Sequence, residues 1–107
     1  MIHQMKLQSE PFEKMKSGEK TIEIRLHDEK RRKVVRGDII EFSKLSQMSE
    51  TLSVKVIDLY PYSTFEDLLG AFPLSDFGAK NKKQLLEKLF TYYSKKEEYT
   101  NGVLGIR

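Results

Sequence analysis

Apolar and polar positions change their period several times along this chain, and each change marks an element. Residues 3–7 read as a short first strand, after which Ser9 offers an N-cap oxygen and Pro11 falls in a first helical turn, where its missing N–H costs nothing. Phe12 and Met15 share one face of that helix, and Gly18 supplies a left-handed C-cap that stops it within about two turns. The period then drops to two. Ile22, Ile24 and Leu26 point one way and Thr21, Glu23 and Arg25 the other, the pattern of a half-buried strand. Residues 27–36 break this alternation and predict a loop or a single helical turn, closed by Gly37-Asp38 before the apolar Ile39, Ile40 and Phe42. Leu52, Val54 and Val56 predict a further strand that runs to about Tyr60 and ends at Pro61.

Helical spacing returns in the last third. Ser63 and Glu66 have the spacing of a capping box, with Phe65, Leu68, Leu69 and Phe72 on one face behind it. Asn81 and Gln84 repeat the box ahead of a stripe made by Leu85, Leu86, Leu89, Phe90 and Tyr93. Asn101-Gly102 then predicts a turn into a final strand over residues 103–107, which must pair inside a sheet to be stable. The order βαβ, loop, ββ, αα, β lacks a regular βαβα alternation. It predicts an α+β fold: a small curled sheet or β-barrel with short helices inserted between strands.

At 107 residues, with no linker and no internal repeat, the chain fits one domain. Hydrophobic residues at 38% suffice for a small core and exclude a disordered chain. The absence of cysteine removes disulfides, thiolate metal sites and cysteine nucleophiles. His3 and His27 have no spaced partners, so no metal is expected, and no phosphate-binding glycine loop points to a nucleotide cofactor. No apolar run approaches the ~20 residues that span a bilayer, which makes a soluble cytoplasmic protein the expectation and a membrane partner unexpected.

Charge adds a sharper clue. The net charge is only +3, yet residues 14–36 hold nine basic and four acidic side chains, while the segments on either side are each slightly acidic. A patch of this kind attracts phosphates; a solvated lysine-rich face is the plain alternative. Glu23 and Arg25, two apart on one strand, present a carboxylate and a guanidinium together, with Lys20 in the turn before them. The guanidinium suits a phosphate or a base edge, and the carboxylate can accept from an amino group such as that of cytosine. The same residues would also serve as a structural ion pair with a solvated lysine beside it.

Gly18, Lys20, Glu23 and Arg25, following a short helix, match the G-x-K-x-x-E-x-R signature and so resemble the ASCH domain family. The Gly37-Asp38-Ile39-Ile40-Glu41-Phe42 segment and the closing Gly102-Val103-Leu104-Gly105-Ile106-Arg107 extend the resemblance over nearly the whole of residues 1–107. It implies a PUA-like β-barrel and a cleft, lined by the motif, that takes RNA or a nucleotide. On that reading Lys20, Glu23 and Arg25 lie in the cleft, and the basic loop with Lys30, Arg31, Arg32, Lys33 and Arg36 rims it and supplies affinity for phosphates. Tyr60, Tyr62, Tyr92, Tyr93 and Tyr99 are the aromatic side chains available for stacking, most of them serving the core.

An enzyme reading comes second. One bacterial branch of the family, similar in length, acts as an amidohydrolase on N4-acetylcytidine through a lysine, a threonine three positions later and a distant glutamate. Lys20 matches, but Glu23 stands where the threonine is expected, and residues 77–84 offer no acidic counterpart. Glu23 acting as a general base on water, with Lys20 facing the oxyanion, is the remaining catalytic arrangement. A protein-interaction module is the third alternative.

Overall fold

The computed structural model describes residues 1–107. Its elements are β1 (Ile2–Leu7), α1 (Ser9–Ser17), β2 (Glu23–Leu26), β3 (Ile39–Lys44), β4 (Gln47–Lys55), β5 (Leu59–Tyr62), α2 (Phe65–Gly70), α3 (Lys82–Tyr92), α4 (Lys95–Asn101) and β6 (Val103–Ile106). Single 3-10 turns lie at Arg31–Lys33 and Leu74–Asp76. The α+β fold is as expected. The strands form two three-stranded sheets, ordered β1-β3-β4 and β2-β6-β5, and no backbone ladder joins the two into a closed ring.

β6 belongs to both halves of the core. Leu104 and Ile106 pack with Met5, Phe12, Ile40 and Phe42 beneath α1, while Val103 packs with Ile22, Phe65, Leu68 and Leu89 beneath α2 and α3. The alternation of a strand buried on both faces explains why this short segment is wholly apolar or glycine. Gly105 is required there, because a Cβ would stand 2.9 Å from a Leu68 methyl and 3.3 Å from an Ile22 methyl.

Several local expectations are corrected. Ser9 does not cap α1: the N-cap is Gln8, without a side-chain bond, and the Ser9 hydroxyl lies 2.7 Å from that of Ser46. Gly18 does close the helix, at φ 86°. β1 pairs in parallel with β3 across a crossover that carries α1 and β2, while β3 and β4 pair antiparallel as consecutive strands. The strand expected to run from Leu52 to Tyr60 is two. Its chain leaves β3 after Lys55, Ile57 N–H donates to the Arg107 carbonyl at 2.8 Å, and β5 pairs with β6 instead. Pro61 therefore lies inside β5, which tolerates it as an edge strand.

The second helix starts one residue later than its Ser63 box predicts. Thr64 accepts from Asp67 N–H, and Phe65, fully buried, gives its own N–H to the Glu98 carboxylate at 2.9 Å. Asn81 caps α3 by accepting from Gln84 N–H. α4 has no apolar stripe to announce it, and its only large ring, Tyr99, is exposed. What holds its start is a reciprocal capping box between Ser94 and Glu97.

Candidate functional site

β2 is not half-buried, as its alternation suggests, but buried on both faces, Glu23 included. A carboxylate in such a place needs partners. Lys20 Nζ donates to Glu23 Oε1 at 2.6 Å, and Arg25 Nε donates to Glu23 Oε2 at 2.8 Å with its Nη2 at 2.7 Å from the same oxygen. Arg25 Nη2 also donates to the Lys6 carbonyl at 2.7 Å, tying β2 to the unpaired edge of β1. Burial alone would raise the Glu23 pKa. The Lys20 and Arg25 charges and their hydrogen bonds outweigh it and hold the carboxyl at about 2.

The backbone around Lys20 is clamped from two directions. Its N–H donates to the Lys14 carbonyl at the end of α1, and the next two N–H groups, of Thr21 and Ile22, both donate to the Asp76 carbonyl at 2.8 and 2.9 Å. Gly78, at φ 71°, lies against the lysine stem; a Cβ there would stand 3.0 Å from the Lys20 Cβ. The left-handed turn and the close approach both call for glycine.

Lys20, Glu23 and Arg25 form part of the wall of a cavity of about 480 Å³, bounded otherwise by α1, the end of β1, the 77–81 segment and the polar side of α3. Six basic and two acidic side chains line it. Lys14 is anchored by Glu10 at 3.1 Å and by the Gly78 carbonyl at 2.8 Å, whereas Lys80 and Lys88 make no ion pair. Asn81, Gln84, Tyr92 and Tyr93 add amide and phenol groups. Lys14, Lys80 and Lys88 were not expected at the site, and Asn81 and Gln84 were expected only as a helix cap. Gln84, Lys88 and Tyr92 recur every four residues on one side of α3, a polar stripe visible in the sequence once the helix is recognised.

The basic loop takes a different place from the one expected. None of Lys30, Arg31, Arg32, Lys33 and Arg36 lines the cavity. Arg31 is turned onto Asp28, with Nη1 3.1 Å from Oδ2, and Arg32 Nη2 donates to the Asn101 carbonyl at 3.0 Å, at the C-terminal end of α4. Val34 is buried in the core cluster that includes Phe12 of α1 and anchors the loop there. Tyr93 is subject to both charged regions. Burial pushes its hydroxyl pKa up, and the charges of Arg25, Glu23, Arg31 and Asp28 all act on it. Its ring stacks on Phe65 at 5.6 Å.

The remaining polar residues lie elsewhere. His3 Nε2 is 2.8 Å from Asp38 Oδ2, within the turn that leads into β3. No group of three or more His, Cys, Asp or Glu side chains is arranged to hold a metal ion. No helix is long and apolar enough to cross a membrane.

Two solved structures are similar over almost their full lengths. The hypothetical protein PH0355 is 35% identical with a TM-score of 0.89, the alignment covering 100% of this chain and 96% of that one. The protein PF0455 from Pyrococcus furiosus is 32% identical with a TM-score of 0.77, covering 99% of this chain and 94% of its own. No curated protein matches the chain. The sequence pattern of the ASCH domain matches residues 5–106, so this α+β, PUA-like chain belongs to the ASCH domain family.

Proposed function

We propose that residues 1–107 act as one ASCH domain that binds RNA or a nucleotide in the cavity over Lys20, Glu23 and Arg25. The observation that carries this reading is the cavity's composition: a buried, hydrogen-bonded ion cluster, unpaired lysines from other segments, and two tyrosines. Lysines without carboxylate partners are free to neutralise phosphate, and a tyrosine ring such as that of Tyr92, half exposed, offers a base a stacking surface. A volume of about 480 Å³ falls among sites that take a single small molecule, so one nucleotide fits at a time. The loop bearing Arg31, Arg32, Lys33 and Arg36, outside the cavity wall, contributes through its field and through contacts with the strand beyond the bound nucleotide.

Hydrolysis of an acylated nucleoside such as N4-acetylcytidine has less support. The cavity wall holds no serine, threonine or cysteine, and the Thr21 hydroxyl faces the Asp76 carbonyl outside it. Glu23, held at a pKa of about 2 by two cations, is too weak a base to activate water effectively.

Titration with a labelled single-stranded RNA hexamer at low and moderate salt tests the binding reading. Saturable binding that weakens as salt rises is expected; no binding at low salt overturns it. Release of cytidine from N4-acetylcytidine by the wild type, lost in Lys20→Ala, would replace it with the hydrolase.

A further inference from the structure

The ion cluster at the cavity wall has an order that a ligand can read. Along it lie a donor, an acceptor and a donor: the Lys20 ammonium, the Glu23 carboxylate and the Arg25 guanidinium. Each has capacity left over. Lys20 carries three N–H donors and spends one on Glu23. Arg25 spends Nε on Glu23 and Nη2 on the Lys6 carbonyl, and its Nη1 protons have no partner in the protein. The carboxylate has about four lone-pair sites and is approached by three N–H groups. All three residues line the cavity.

Resting on the binding reading above, we propose that this array selects a uracil base, through the imide edge formed by its two carbonyls and the N–H between them. The complement of donor, acceptor, donor is acceptor, donor, acceptor. Among the four RNA bases only uracil presents that order along its pairing edge. In the register that spans all three groups cytosine places a bare ring nitrogen opposite the Glu23 carboxylate, setting lone pair against lone pair; shifted so that its amino group meets Glu23, it leaves one cation without an acceptor. Guanine turns an amino group toward one of the cations, setting donor against donor. Adenine offers one amino donor and one ring-nitrogen acceptor, so it matches at most Glu23 and one cation and leaves the other cation without an acceptor. Sequence reasoning points Glu23 at the cytosine amino group; the flanking cations, each demanding an acceptor, redirect that choice.

The carboxylate stays ionised across the physiological range because Lys20 and Arg25 hold it so, and an ionised carboxylate only accepts. The site therefore has a fixed polarity and does not adapt to cytosine by taking up a proton. Single-stranded bases are commonly read on this edge, and a site built to hydrogen-bond one group rejects the analogue that lacks it.

Wild-type protein and a ligand series test the proposal without depending on a variant that folds poorly. Fluorescence anisotropy is measured with hexamers of uridine, cytidine and N3-methyluridine, the last lacking only the imide proton, and with uridine and cytidine monophosphates as competitors. Uridine hexamer is expected to bind about tenfold or more tightly than the other two. Uridine monophosphate competing more strongly than cytidine monophosphate assigns the imide to a free nucleotide as well; uridine preference confined to the hexamers assigns it to a strand. Equal affinity for all three hexamers overturns the uracil assignment while leaving RNA binding in place. No binding by any ligand overturns both readings. In Glu23→Gln, whose side-chain amide can present a donor or an acceptor, the uridine-to-cytidine ratio is expected to fall toward one.

Discussion

Glu23 shows how a buried side chain depends on its partners, and on the proposed reading the same carboxylate serves recognition. Its burial is tolerable only because Lys20 and Arg25 flank it, and those partners make its carboxyl strongly acidic. The folded-state pKa, about 2, lies below the ordinary value of 4.5, so the folded protein favours the ionised form. Its contribution to stability is complete above roughly pH 4.5 and is lost as the pH falls toward 2. Asp38, also held at about 2 by the hydrogen bond from His3 and then by that from the Val35 N–H, acts in the same window. Urea midpoints followed from pH 6 to pH 2.5 are expected to fall in the wild type and to fall less steeply in Glu23→Gln, the difference isolating this residue. At neutral pH, Glu23→Ala leaves two buried cations facing one another and is expected to cost about 3–5 kcal/mol.

Helices make a different point about what a sequence displays. α3 is announced by its apolar stripe and by Asn81, because burying that stripe under β6 and capping its first turn both follow from local spacing. α4 has neither a stripe nor a buried residue and escapes a search for apolar periodicity. Its signal is the Ser94-x-x-Glu97 spacing, and its tertiary reason is Glu98, which satisfies the first N–H of α2. Ser94→Ala is expected to lower stability by about 1 kcal/mol in a thermal or urea melt. The capping box misplaced at Ser63 has the mirror-image cause. Burial of Phe65 sets where α2 begins, and its neighbour Thr64 is left to supply the cap.

Over the whole molecule, the positive field and the cavity do not coincide residue for residue. The excess charge of residues 14–36 is split, with Lys14, Lys20 and Arg25 lining the cavity and the 27–36 loop folded against Asp28 and α4. Lys88 is contributed from α3, far along the chain. If RNA occupies the cavity, Lys88→Ala is expected to lower the slope of log affinity against log salt by about one, as the loss of one phosphate contact does. Lys33→Ala, outside the cavity, is expected to change the slope less; titrations of the two variants at four salt concentrations compare them.

The placing of Glu23 beside Arg25, with Lys20 in the turn before them, was legible in the amino-acid order, since residues two apart on a strand share a face; the clamping of Lys20 onto Glu23 was not. Also legible were the α+β composition, the glycine that ends α1, the cap of α3 and the buried final strand. Glu23's burial, the division of the strands between two sheets, the withdrawal of the basic loop and the choice of α1 and α3 as cavity walls were not. Each depends on contacts between residues distant in the chain, such as the Asp76 carbonyl that clamps Thr21 and Ile22, or the Arg107 carbonyl that draws Ile57 away from β3. Local spacing fixes which side chains stand next to one another along an element; packing of β6 between two cores decides what stands opposite them.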